Sequence, residues 1–338
     1  MTYQGRALYN LLQMNYKRDS SIEVEEWQIV DYRSLGEEEL FKGLEKLEVF
    51  LDRDNFLLYV NECDSPENLV ECLSLDEDYK KHEQVFLLIF ELWRRLAPHK
   101  QSLSIFVDEF DHLIEQYEGG NMGLEEELQG ALSSFQSILD DNVDEGGDPK
   151  EGYRFFSTYS CHNLELFIYE YIAHQIDIEN SLYASEILEG FYSYLENQRW
   201  LDFLRARLVM EADPEEGAIM IERLLGSLKD ESEIYLLFEI LHYLIHVEEI
   251  SLFQSAYHQA LDQIKIEEEL RELLSISIEY FHAIDKEKEE ALVNELLEKR
   301  KEKDLKSKIG PGDEVFEILK EIIILLPVEV RSLDNLPK

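Results

Sequence analysis

Residues 82–96 read HEQVFLLIFELWRRL, and their pattern decides the fold. Apolar side chains fall at Val85, Leu87, Leu88, Phe90, Leu92, Trp93 and Leu96. Recurrence at three- and four-residue intervals fills one broad face of a helix. The next stretch, Ser102 to Tyr117, repeats the pattern through Leu103, Phe106, Phe110, Leu113 and Ile114, and Gly119-Gly120 stops it. Residues 232–247, SEIYLLFEILHYLIHV, are apolar almost all round. A helix of that kind is buried among neighbours.

Helix-start chemistry recurs between these runs. Ser65-Pro66-Glu67 puts a capping hydroxyl before a proline at the first helical position. Asp213-Pro214-Glu215-Glu216 does the same, with an acid placed to close a capping box. Strand signals are weak, and residues 23–32 are the only stretch with a pattern that could pair. Helices of about 12 to 18 residues with short connections predict an all-α protein. The expected architecture is an irregular stack of helical hairpins, solenoid-like in the tetratricopeptide or HEAT style. A closed helical bundle is the alternative. A faint repeat favours stacking: Phe90-Glu91, Tyr169-Glu170 and Phe238-Glu239 are each followed by a Ser-Leu that opens another helix, at Ser102, Ser181 and Ser251. Residues 208–216, LVMEADPEE, resemble the end of a tetratricopeptide helix pair and its Asp-Pro turn. The resemblance covers that turn alone.

Residues 140–152, DDNVDEGGDPKEG, are polar and lack an apolar period, so a loop or linker is expected there. It would separate a helical region over 1–139 from a second over 153–309. Gly310-Pro311-Gly312 then sets off a last apolar helix and tail over 310–338.

The 338 residues are 45% apolar, ample for a core, yet Asp and Glu number 74 against 32 Lys and Arg, a net charge of −42. Such a surface repels nucleic acid and anionic lipid and attracts basic proteins. The expected partner is therefore a protein with a basic segment, with no direct binding of nucleic acid. Oligomeric state is not readable. Cys63, Cys72 and Cys161 form no CxxC, so free, buried thiols in a reducing compartment are expected. Residues 1–17 contain no apolar run of signal-sequence length, and Ile322 to Leu326 falls far short of a bilayer span. These features point to a soluble cytoplasmic protein, with export by a route that uses no cleavable signal as the alternative.

Candidate chemistry is sparse. Asp140, Asn142, Asp144, Asp148 and Glu151 fall at positions one, three, five, nine and twelve of a segment that resembles an EF-hand calcium loop. Glu145 stands where that loop needs glycine. Three Glu-x-x-His pairs, Glu109/His112, Glu239/His242 and Glu279/His282, put a carboxylate and an imidazole on one helix face, as di-metal carboxylate bundles do. His246 adds a second imidazole one turn beyond His242. Cys161-His162 are sequence neighbours, about 100° apart on a helix, and do not form a dyad by themselves. No phosphate loop, dinucleotide fingerprint, GxSxG or HExxH occurs, and no cofactor is implied. Lys299, Arg300, Lys301, Lys303, Lys306 and Lys308 form the only basic cluster, either complementing a helix C-terminus or making a contact site. The leading reading is a non-catalytic adaptor, chaperone or regulatory scaffold. A metal-dependent helical enzyme and an acidic mimic of nucleic acid are the alternatives.

Overall fold

A computed structural model describes residues 4–73, 78–229, 233–247, 249–310 and 312–324. The described residues are all-α, with no strand and one isolated bridge between Ile266 and Lys308. The chain divides into two compact units: Met1–Tyr171 with Glu189–Glu196, and Ile172–Leu188 with Asn197–Lys338. The first holds α1 (Gly5–Arg18), α2 (Glu37–Lys46), α3 (Arg53–Glu62), α4 (Pro66–Cys72), α5 (Tyr79–Leu96), α6 (Leu103–Glu118), α7 (Glu125–Asp144) and α8 (Pro149–Ser157). The division falls within α9 (Leu164–Asp177) and α10 (Ser181–Phe191). The second holds α11 (Gln198–Ala212), α12 (Pro214–Leu228), α13 (Ile234–Ile245), α14 (Ile250–Gln263), α15 (Glu267–Ala283), α16 (Glu287–Arg300) and α17 (Glu314–Ile324).

In the first unit α5 is the centre. Every residue from Val85 to Trp93 is buried, more than one face requires, because α1, α2 and α4 all pack against it. Asp78 starts the helix by accepting from the backbone of Lys80 and Lys81. Burying side chains the size of Phe90 and Trp93 contributes about 1.5–3 kcal/mol each. Glu91 is the exception in this apolar run. Arg94 and Arg95 clamp its carboxylate at 2.5 and 2.7 Å, and Arg95 also donates to the carbonyls of Tyr32, Arg33 and Leu35. A buried acid thus fastens the 32–35 turn onto α5. A second focus of the unit is aromatic: Phe135 stacks on Phe156 at 3.9 Å between centroids and meets Phe110 and Phe191.

The second unit is built from antiparallel neighbours. α11 pairs with α12, α13 with α14 and α15 with α16, and α13 also packs on α15 and α12 on α14. The Asp-Pro turn read from residues 208–216 makes the first hairpin: Asp213 caps α12 by accepting from the Glu216 backbone at 3.2 Å, with Pro214 at the first position. Gly217 lies against the Met210 backbone, where a Cβ would stand 2.5 Å from Met210 Cα. The apolar helix at 234–245 is buried at Ile234, Leu236, Leu237, Phe238, Ile240, Leu241 and Leu244, as its pattern requires.

Several local expectations change. The segment expected to be a loop at 140–152 is mostly helical. α7 runs on to Asp144 because Leu139 still reaches the core, and Gly146 (φ +96°) makes the turn into α8. Asp148 caps α8, with both Lys150 and Glu151 backbone donors at 3.0 Å. The segment lies inside the first unit. Residues 23–32 make a short 3-10 turn at Glu26–Gln28 rather than a strand. α16 stops at Arg300, so Lys301 to Lys308 of the basic cluster lie beyond its end, and the chain then crosses the start of α15, with Ile309 donating to the Lys265 carbonyl. Ser102 caps α6 and Ser181 opens α10, while Ser251 lies one residue inside α14. No described helix is long and apolar enough to cross a membrane. Residues 325–338, which include most of the expected tail, lie outside the described residues.

Candidate functional site

Two carboxylates on the buried face of α6 organise a cavity of the first unit. Asp108 and Asp111 are one turn apart, so they lie side by side on the buried face of the helix. A cavity of about 650 Å³ opens beside them, walled by α1, the turn around Arg33, and residues Cys161 and His162 between α8 and α9.

The two acids are held differently. Asp108 accepts from Arg6 Nε at 3.0 Å, Asn10 Nδ2 at 2.8 Å and Arg33 Nη2 at 2.5 Å. Burial pushes its carboxyl up, but the charges of Arg6 and Arg33 and these hydrogen bonds outweigh it and hold the carboxyl at about 2. Among the described residues no cation pairs with Asp111. Its oxygens accept from Ser160 Oγ at 2.5 Å and the Cys161 backbone at 2.8 Å. Burial dominates there and raises the carboxyl to about 7, despite those two bonds. The same burial, followed by the charge of Asp111, drives the Cys161 thiol far above the usual range, and burial lowers His162.

Arg6 is buried in the same wall. Its guanidinium sits over the rings of Tyr9 and Phe90, 4.9 and 5.4 Å from their centroids. One terminal nitrogen, Nη1, is buried without a hydrogen-bond partner.

The residues singled out from sequence lie elsewhere or serve other contacts. Glu109 is engaged by Arg33 at 3.1 Å and Arg94 at 3.3 Å, while His112 lines the cavity with its pKa lowered by burial and by Arg33. Glu239 on α13 and His246 at its C-cap are exposed. His242 meets α15, with Nε2 3.3 Å from Glu272 and Nδ1 3.6 Å from Glu279. His282 turns to Glu290 at 3.3 Å rather than to Glu279. The helical pairs are therefore divided among surface contacts. Of the calcium-loop positions, Asp140, Asn142 and Asp144 ride on the last turn of α7, where successive helical residues face different directions instead of wrapping one point. Asp140 accepts from Tyr194, and Asp148 is occupied as a helix cap.

The basic cluster is split as well. Arg300 is buried and bonded to Glu267 and Asp313. Lys299 pairs with Glu295 at 2.7 Å and Lys301 with Glu298, while Lys303, Lys306 and Lys308 are exposed. A shallow groove of about 490 Å³ in the first unit presents a contrasting surface. Phe50, 76% exposed, stands there with Glu38, Glu45 and Asp52 and with Lys42 and Arg53.

Among the described residues, one group of three ligating side chains lies close enough to share a metal ion: Asp111, Cys161 and His162. Sequence inspection sees only the Cys161-His162 neighbours. The signal that points to the rest is a pair of acids, Asp108 and Asp111, one turn apart on an amphipathic helix. The arrangement defines an all-α protein with an open, charge-lined cavity. Compared with protein-family models, curated proteins and solved structures, the chain matches none.

Proposed function

We propose that the protein is a non-catalytic interaction protein, an adaptor, chaperone or regulatory scaffold, that engages a protein partner through a basic segment. One observation carries the reading: arginines turn inward. Glu91, Asp108 and Glu267 are buried, and each is neutralised by two arginines or more within 4 Å, drawn from Arg6, Arg33, Arg94, Arg95, Arg271 and Arg300. Six arginines held against three buried acids leave fewer cations beside the carboxylates of the exterior. The net charge of −42 is then displayed mainly by surface carboxylates, which favours basic partners and speeds their encounter.

Phe50 supports a location for that contact. Lys42 and Arg53 also line the groove but are paired with Glu38 and Glu37, which leaves Glu45 and Asp52 beside an exposed aromatic, a surface that a basic segment with one apolar anchor would engage. A reducing compartment such as the cytoplasm fits Cys63 and Cys72, whose sulfurs stand 3.7 Å apart unbonded.

Capture from extract of the native host tests the reading. A retained protein carrying a contiguous Lys/Arg segment, eluted by raised salt, is the expected result. Retention that is indifferent to salt, or confined to abundant proteins without such a segment, contradicts it.

A further inference from the structure

We propose that Asp111, Cys161 and His162 form a binding site for a zinc-like divalent transition ion, open to the cavity of the first unit. One carboxylate oxygen, the thiol sulfur and one imidazole nitrogen all lie within 4.8 Å of one another. All three residues line the same cavity. Carboxylate, thiolate and imidazole are together the donor set of zinc, and the sulfur argues against calcium or magnesium, which take oxygen alone. Three protein donors leave a fourth position, which the cavity supplies to water or a small ligand.

The surroundings hold the donors in place. Ser160 Oγ donates to Asp111 at 2.5 Å and accepts from the His162 backbone at 3.1 Å, so one hydroxyl ties two of the three ligand residues together. The Cys161 backbone donates to the other Asp111 oxygen at 2.8 Å. A carboxylate has about four lone-pair positions, so these two bonds orient it and leave capacity for a metal. On coordination the sulfur enters as thiolate, and its proton passes to solvent. The site is separate from the acidic exterior, and its test has its own readout.

Exposed carboxylates of so acidic a chain bind divalent ions weakly, so the test needs a signature of sulfur. Cobalt(II) is titrated into chelator-treated full-length protein and followed by visible absorption, with zinc added afterwards as competitor. The proposal expects one equivalent of cobalt, a thiolate-to-cobalt charge-transfer band, and loss of that band on adding zinc. Cys161→Ser abolishes the band, His162→Ala weakens binding at least tenfold, and the double variant Cys63→Ser/Cys72→Ser keeps the band. Circular dichroism of each variant shows whether it folds. Ser160→Ala, which removes no ligand, weakens binding about tenfold. No charge-transfer band in the folded wild-type protein overturns the proposal. So does a band that survives Cys161→Ser and vanishes in the Cys63/Cys72 double variant.

Discussion

Arg300 donates to both carboxylate oxygens of Glu267, Nε at 2.5 Å and Nη2 at 2.7 Å, with both side chains buried. Its remaining Nη1 reaches Asp313 at 3.0 and 3.1 Å, so one guanidinium joins the end of α16, the start of α15 and the approach to α17. Removing one partner of a buried pair leaves an uncompensated charge, which costs about 3–5 kcal/mol. Arg300→Met is therefore expected to lose about that much stability in urea denaturation. Adding Glu267→Gln to it recovers part of the loss. Two additive losses would show that the bidentate pair is not the interaction being removed.

Asp108 gives a pH dependence with a definite sign. Its carboxyl is held at about 2 in the folded protein, below the ordinary value of 3.8. The folded state thus binds fewer protons than the unfolded state as pH falls below about 4. Stability from this group is full above that pH and is lost as pH drops toward 2. The shift amounts to about 2 kcal/mol. Asp108→Asn should be less stable than wild type at pH 7, and the gap should close between about pH 4 and pH 2. A gap that does not change over that window contradicts the assignment.

Gly217 packs without a side chain against Met210 of the preceding helix, and a Cβ there would meet the Met210 backbone at 2.5 and 2.7 Å. Backbone cannot swing aside as a side chain end can. Gly217→Ala should therefore push α11 and α12 apart and destabilise by about 1–3 kcal/mol, despite alanine's better helix propensity. A neutral or stabilising result in thermal denaturation would show that the hairpin relaxes freely.

Cys63 and Cys72 sit with sulfurs 3.7 Å apart, one buried and one exposed. Burial, then the hydrogen bond to Cys72, raises the Cys63 thiol to about 11. Cys72 is the sulfur an oxidant reaches first. Diamide, which takes up the two thiol hydrogens, should join them in one intramolecular disulfide. Peptide mapping after alkylation would then find only Cys161 modified. Alkylation of all three cysteines would contradict the pairing.

Much of the fold was legible because apolar periodicity is a local property. Residues 82–96 and 232–247 each state their helix in their own sequence, and Asp213-Pro214 states its turn. Residues 140–152 misled because Asp and Gly content is also what a helix C-terminus followed by an N-cap looks like. Leu139 anchors α7 and Asp148 caps α8, so the polar stretch is two helix ends and one turn. Asp111 and Cys161 were not legible as a pair because 50 residues separate two side chains that meet only in the folded unit. Arg300 was hidden for another reason: it lies among exposed lysines, and only its position on α16 turns it toward Glu267.

The claim that the acidic exterior receives a basic segment is tested most directly by titrating a fluorescent Lys/Arg-rich peptide with one aromatic anchor against the full-length protein. The account predicts saturable binding at one peptide per chain, affinity that falls as salt is raised, and a weaker complex with Phe50→Ala. A peptide of the same length with Lys and Arg replaced by Gln should not bind. Absence of saturable binding at low salt, or equal binding of the Gln peptide, would contradict it.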